Sequence, residues 1–204
     1  VQRDSAKKIR GPEYYVEDAR SVIVIGMHFP MELIDNSGDK KTQQIGTYAF
    51  WQYQTQFELR LAAFRLANCL SAMGYKAVAT EDMLGIGSMV DSPRGKLPDA
   101  RCNAVEAAAA GLGQIGESGA LLTCEYGPHQ RRIVVVTDAE LPCDKVDCGL
   151  ELCKHCGSCR TSCPMGALGD GASMEIRLDS TSVKIPKIER HRCDWSKRYS
   201  LCPE

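Results

Sequence analysis

Apolar positions follow three patterns along the chain. Ser21-Val-Ile-Val-Ile-Gly-Met27 is β-branched and apolar without alternation, set between the charged Asp18 and Arg20 and the breaker Pro30. Such a run predicts a central strand buried on both faces. From Thr47 to Met73 the apolar residues Phe57, Leu61 and Phe64 recur at helical spacing, Leu66, Cys69, Leu70 and Met73 continue the stripe, and Gly74 stops it. That segment predicts the longest helix, with the stripe turned to the core. Tyr75–Ala79, Ala120–Thr123 and Arg132–Thr137 predict short strands, the last centred on Ile-Val-Val-Val. Pro98-Asp99 opens a second, Ala-rich helix that ends at Gly111. The alternation in Met174–Leu178 and Val183–Ile185 predicts a hairpin, while Met31–Ile45 and Gly85–Leu97 read as loops.

A length of 204 residues supports one globular core with at most a small appendage. Apolar residues at 44% and charged residues at 25% fit a soluble globule and disfavour disorder, collagen or a simple coiled coil. A net charge of -1, from 25 basic and 26 acidic residues, gives no field that would draw nucleic acid. The best apolar run, Val22–Met27, is too short to span a membrane. Val1–Arg10 is polar and basic, so no secretion signal is expected within the chain. Beyond Pro142 the composition shifts to Cys, Lys, Asp and Gly. The expected organisation is therefore an α/β (α+β) core over 1–142, a sheet flanked by helices, followed by a small module over 143–204.

Cysteine changes the picture. The chain has 11, and Cys143, Cys148, Cys153, Cys156, Cys159 and Cys163 crowd into one stretch. The odd total and the close spacing of those six argue for a metal or cluster in a reducing compartment, the cytoplasm, rather than for a disulfide framework. Cys153-Lys-His-Cys156-Gly-Ser-Cys159-Arg-Thr-Ser-Cys163-Pro164 is C-x2-C-x2-C-x3-C-P, the spacing that ligates 4Fe-4S clusters in bacterial ferredoxins. Zinc sites more often use two separated C-x2-C pairs. In two-cluster ferredoxins the Cys before Pro serves the other cluster, and a remote Cys-Pro closes the first. By that logic Cys153, Cys156, Cys159 and Cys202 hold one cluster. Cys163 is then free for a second, irregular one with Cys193, Cys148 and Cys143. Local closure of the first cluster by Cys163 is the alternative. His155, between the ligands, is expected to tune hydrogen bonding around the sulfurs.

Gly111-Leu-Gly113-Gln-Ile-Gly116 satisfies the dinucleotide pattern G-x-G-x-x-G, with Asp138 farther on. The pattern requires a strand before and a helix after. Here an Ala-rich helix precedes and an extended stretch follows, which argues against NAD. The same residues, in the order Ala110-Gly-Leu-Gly113, Ile115-Gly116, Leu122-Thr123, Glu125-Tyr-Gly127, Thr137-Asp138, Leu141-Pro142 and then the Cys153 motif, form a series that resembles epoxyqueuosine reductases and corrinoid reductive dehalogenases.

The resemblance implies a nitroreductase-like core that holds a corrinoid (cobalamin) beside a ferredoxin-like module with 4Fe-4S clusters. It implies an oxidoreductase that takes electrons from a donor such as ferredoxin or flavodoxin and reduces a small molecule. Gly111, Gly113, Gly116, Tyr126 and Gly127 are the expected cofactor contacts. Candidate proton donors are Tyr48, Asp99 and Tyr126, and Arg101 is a candidate clamp for a carboxylate or phosphate.

Overall fold

The structure, a computed structural model, describes residues 11–30, 32, 46–80, 91–92, 95–96, 103–146, 151–169, 173–178, 181–189 and 192–193. The chain divides into two compact units, each drawn from separate stretches of sequence: Pro12–Glu81 with Glu125–Cys143, and Val1–Gly11 with Asp82–Cys124 and Asp144–Glu204. The fold is mixed helix and sheet, and among the described residues every strand pair is antiparallel.

In the first unit, β1 (Ser21–His28), α1 (Gly46–Ala72), β2 (Ala77–Thr80) and a later strand, Gln130–Thr137, form a sheet covered by one helix. The later strand lies between β1 and β2, with Ile25 opposite Ile133 and Thr80 opposite Val134. Its side chains alternate between two faces, as the period of a strand requires. Ile133 and Val135 pack with Leu59, Ala63 and Leu70 of α1, and Val134 and Val136 pack with Val16. α1 ends before Gly74, where the Tyr75 N–H donates to the Leu70 carbonyl at 3.0 Å and satisfies one of the last helical acceptors.

Two expectations are corrected here. β1 is not the central strand: among the described residues it pairs on one side only and is partly exposed, and the doubly buried strand is Gln130–Thr137. An unbroken apolar run does not distinguish centre from edge, because an edge strand beneath a helix also needs apolar side chains. The second correction concerns α1. Its extent agrees with the sequence, but Phe57, Leu61 and Phe64 are 57, 36 and 61% exposed while Leu59 and Ala63 are fully buried. The helix carries an aromatic stripe and an aliphatic stripe on opposite sides, and the sheet takes the aliphatic one. Leu66 and Leu70 lie on the buried side, whereas Cys69 and Met73 are exposed.

The second unit contains β3 (Asp91–Ser92) and β4 (Gly95–Lys96), then α2 (Asn103–Ala109), β5 (Gln114–Ile115) and β6 (Leu121–Leu122). In chain order β7 is the Gln130–Thr137 strand of the first unit. The second unit continues with α3 (Ser158–Thr161) and the hairpin of β8 (Ser173–Leu178) and β9 (Thr181–Pro186). α2 is buried from Asn103 to Ala108 and packs on β5, β6 and β9, so Val105, Ala107, Leu121 and Ile185 form its core. The hairpin forms where alternation predicts it, with Ile176 opposite Val183.

Candidate metal centre

The glycine run follows α2 and takes in β5, the first strand of the β5–β6 hairpin, so a helix precedes it and extended chain follows, as expected from the sequence. Its glycines are explained by close packing within the protein. A Cβ on Gly111 would stand 2.0 Å from the Lys145 carbonyl oxygen, and one on Gly113 would stand 2.0 Å from that of Leu122. A Cβ on Gly116 would meet Leu122 Cδ1 at 2.9 Å and Cys153 Sγ at 3.5 Å. A side chain at Gly113 would therefore have to displace backbone, which no rotamer can relieve.

The loop reaches the cysteine motif at three points. Besides the approach of Gly116 to Cys153, the Leu152 N–H donates to Gln114 Oε1 at 2.9 Å. Glu117 Oε1 lies 2.9 Å from His155 Nδ1, and its Oε2 forms an ion pair with Arg160 Nη2 at 3.3 Å that lacks hydrogen-bond alignment. His155 Nε2 also faces Glu151 at 3.5 Å. The hydrogen bond with His155 holds the Glu117 carboxyl below its ordinary range, and the Arg160 charge acts in the same direction against burial. The same bond raises the His155 pKa, again against burial.

The motif itself turns through left-handed backbone at His155 (φ 49°) and Gly157 (φ 74°) before α3. For a residue with a side chain that region costs on the order of 1–2 kcal/mol. Cys156 Sγ and Ser158 Oγ stand 3.3 Å apart, and the Ser158 hydroxyl and then its amide draw the Cys156 thiol below its ordinary pKa. Cys163 Sγ accepts the Ala167 N–H at 3.2 Å. The segment bearing Cys193 returns to the same place: the Glu189 N–H donates to the Ala167 carbonyl at 2.8 Å, and the Cys193 N–H donates to that of Glu189 at 3.0 Å.

Cys153, Cys156, Cys159 and Cys163 are free thiols in one unit, which also holds Cys193, and Cys143, exposed, lies in the other. Among the described residues no three His, Cys, Asp or Glu side chains are gathered as a metal-binding group. The thiols of Cys156 and Cys163 follow local hydrogen bonds instead. The donor set still suits an iron-sulfur cluster: all-sulfur ligands on a left-handed loop, with polar hydrogens directed at the sulfurs.

Of the other sequence candidates, Tyr126 stacks on His28 with ring centroids 4.2 Å apart, and Gly127 (φ 53°) accepts the Gln130 side-chain amide at 2.9 Å. Both belong to the first unit. Tyr48 lies in the first turn of α1. Asp99, Arg101, Cys148 and Cys202 lie outside the described residues. Sequence reasoning missed Gln114, Glu117, Ser158 and Arg160. Ser158 and Arg160 stand inside the motif, but nothing local marks Glu117 as the partner of His155 and Arg160.

No family model matches the chain. A solved structure described as a reductive dehalogenase that suggests a mechanism for B12-dependent dehalogenation superposes with a TM-score of 0.64 at 20% identity, covering 89% of this chain and 24% of that one. The fold is therefore one found in reductive dehalogenases. In sequence, a tetrachloroethene reductive dehalogenase of Sulfurospirillum multivorans is 30% identical over 187 residues, 89% of this chain and 31% of the relative. An epoxyqueuosine reductase of Lactococcus garvieae (strain Lg2) is 31% identical over 164 residues, 78% of this chain and 42% of the relative. The chain is similar to reductive dehalogenases and epoxyqueuosine reductases, as the ordered motif series implies. It spans less than half the length of either of these relatives.

Proposed function

We propose that the chain is an iron-sulfur oxidoreductase of the epoxyqueuosine reductase and reductive dehalogenase type, which passes electrons from a 4Fe-4S cluster to a corrinoid and on to a small-molecule substrate. Cys153, Cys156 and Cys159 are the local ligands, completed by Cys202 or by Cys163, and Cys193 and Cys148 are the reserve for a second cluster. The cluster supplies one-electron transfer when bound, and the chain supplies thiolates, hydrogen bonds to sulfur and a charged clasp around the loop. The β1–β7–β2 sheet with α1 stands for the nitroreductase-like layer, and 143–204 for the ferredoxin-like module. The electron donor is a small reduced carrier such as ferredoxin or flavodoxin, and the setting is the reducing cytoplasm. Among the described residues no helix is long and apolar enough to cross a membrane.

The observation that carries this reading is the cysteine motif seated on the glycine loop, in a chain whose relatives are reductases. One feature favours a second reading, a corrinoid-free electron-transfer protein. The space beside Gly111 and Gly113 is filled by protein carbonyls rather than left open for a macrocycle.

Anaerobic purification with added cobalamin distinguishes the two. The first reading expects iron, sulfide and a cobalt content near one per chain; the second expects iron and sulfide without cobalt. Cys156→Ala removes a ligand, so it should lose or convert the cluster, with a fall in visible absorbance and iron content. Unchanged iron and absorbance in that variant, or zinc in place of iron in the parent chain, would overturn both readings.

A further inference from the structure

Three ties join the glycine loop to the backbone that carries Cys153, Cys156 and Cys159, and one of them is charged. The Gln114–Leu152 hydrogen bond and the approach of Gly116 to Cys153 hold the entry to the motif. Glu117 meets His155 Nδ1 at 2.9 Å and Arg160 Nη2 at 3.3 Å. Those two side chains stand in sequence on either side of Cys156 and Cys159, so a single carboxylate bridges two points of the same loop. A second observation comes from the backbone: His155 is the one non-glycine with positive φ among the described residues. Such a conformation persists where the surroundings over-determine it. Glycine would adopt it without steric cost, but would lack the imidazole that Glu117 holds.

We propose that Glu117 is a positioning residue for the cluster loop. Its carboxylate clasps His155 and Arg160, holds the left-handed turn between Cys153 and Cys156, and fixes the backbone from which the thiolates reach the iron. Glu117 is not a ligand; it acts through the residues that flank the ligands. The consequence for iron rests on the iron-sulfur reading above, whereas the clasp itself rests on the distances alone.

The test uses the full chain, loaded with iron and sulfide anaerobically, as parent, Glu117→Ala, Glu117→Gln and, as a control in the other unit, Glu140→Gln. Loss of iron to a chelator should be faster by about tenfold or more in Glu117→Ala, the usual scale for removing a residue that orients metal ligands. The electron paramagnetic resonance signal of its reduced cluster should change shape. Glu117→Gln keeps an acceptor for the His155 N–H and should restore part of the retention; Glu140→Gln should match the parent. Equal iron loss and an unchanged signal in Glu117→Ala would overturn the proposal.

If the parent holds no iron, the functional reading fails, and the clasp is judged by amide hydrogen exchange in the metal-free chain. The Arg160, Thr161 and Ser162 amides, bonded to the carbonyls of Gly157 and Ser158, should exchange faster in Glu117→Ala while Val134–Val136 stay protected. Equal exchange would overturn it there. Should Glu117→Ala not fold, the same comparisons with Glu117→Gln decide.

Discussion

The Glu117–His155 pair has a pH window whose sign follows from the two shifts. His155 is raised by its hydrogen bond to Glu117, so its hold on the loop is complete below the ordinary imidazole value and is lost as pH rises through the raised one. Glu117 is lowered, so its part is present above the ordinary carboxylate value and is lost as pH falls through the depressed one. Between those limits the pair is intact. His155 is 60% exposed on its side chain, so solvent screens the pair and overall stability is a poor readout. Nuclear magnetic resonance titration of the ring in the iron-free chain is the direct one. It should titrate above 6.5, and Glu117→Gln should bring it back toward that value. A ring that titrates identically in both chains would mean that the contact does not form. The sequence made the cysteine spacing and the glycine run legible separately, because each is a local pattern. It could not show that they face each other, since Glu117 and Arg160 carry no periodic or motif signal and meet only through the fold.

At the scale of elements, hydrophobic periodicity located α1, β1 and β7 well but chose the wrong face of α1 and the wrong strand for the centre of the sheet. α1 offers two apolar stripes, and the fold rather than the sequence selects between them: Leu59 and Ala63 pack with Ile133 and Val135, whereas Phe57 and Phe64 are exposed. Two substitutions on this helix should therefore behave oppositely. Leu59→Ala opens a cavity at a fully buried site and should cost about 2–5 kcal/mol. Phe57→Ala removes an exposed ring and should stay within about 0.5 kcal/mol of the parent. Chemical denaturation of the two variants compares them directly, and a larger loss at Phe57 would restore the aromatic stripe as the buried face. The same reasoning explains why β1 reads as central when β7 is: both are apolar runs, and burial of β7 on its two faces depends on Val16 and α1, which lie far away in sequence.

For the whole molecule, the order of the units along the chain matters more than their composition. Glu125–Cys143 crosses back to complete the sheet, and Asp82–Cys124 shares its unit with Asp144–Glu204. β7 is thus inserted between the two halves of the unit that carries the cysteine motif. Ending the chain after Cys143 would remove β9 and Ile185, which cover α2, while leaving every strand of the β1–β7–β2 sheet and α1 in place. α2 is a seven-residue helix, too short to persist without tertiary support. In the truncated chain the amides of Val134–Val136 should keep their protection against hydrogen exchange. Those of Val105–Ala109 should approach the rate of an unfolded peptide. Protection retained at Val105 would mean that the glycine loop and α2 form their core without the cysteine-bearing half. In that case the contacts of Gln114 and Glu117 with the motif are added to a finished structure rather than part of what folds it.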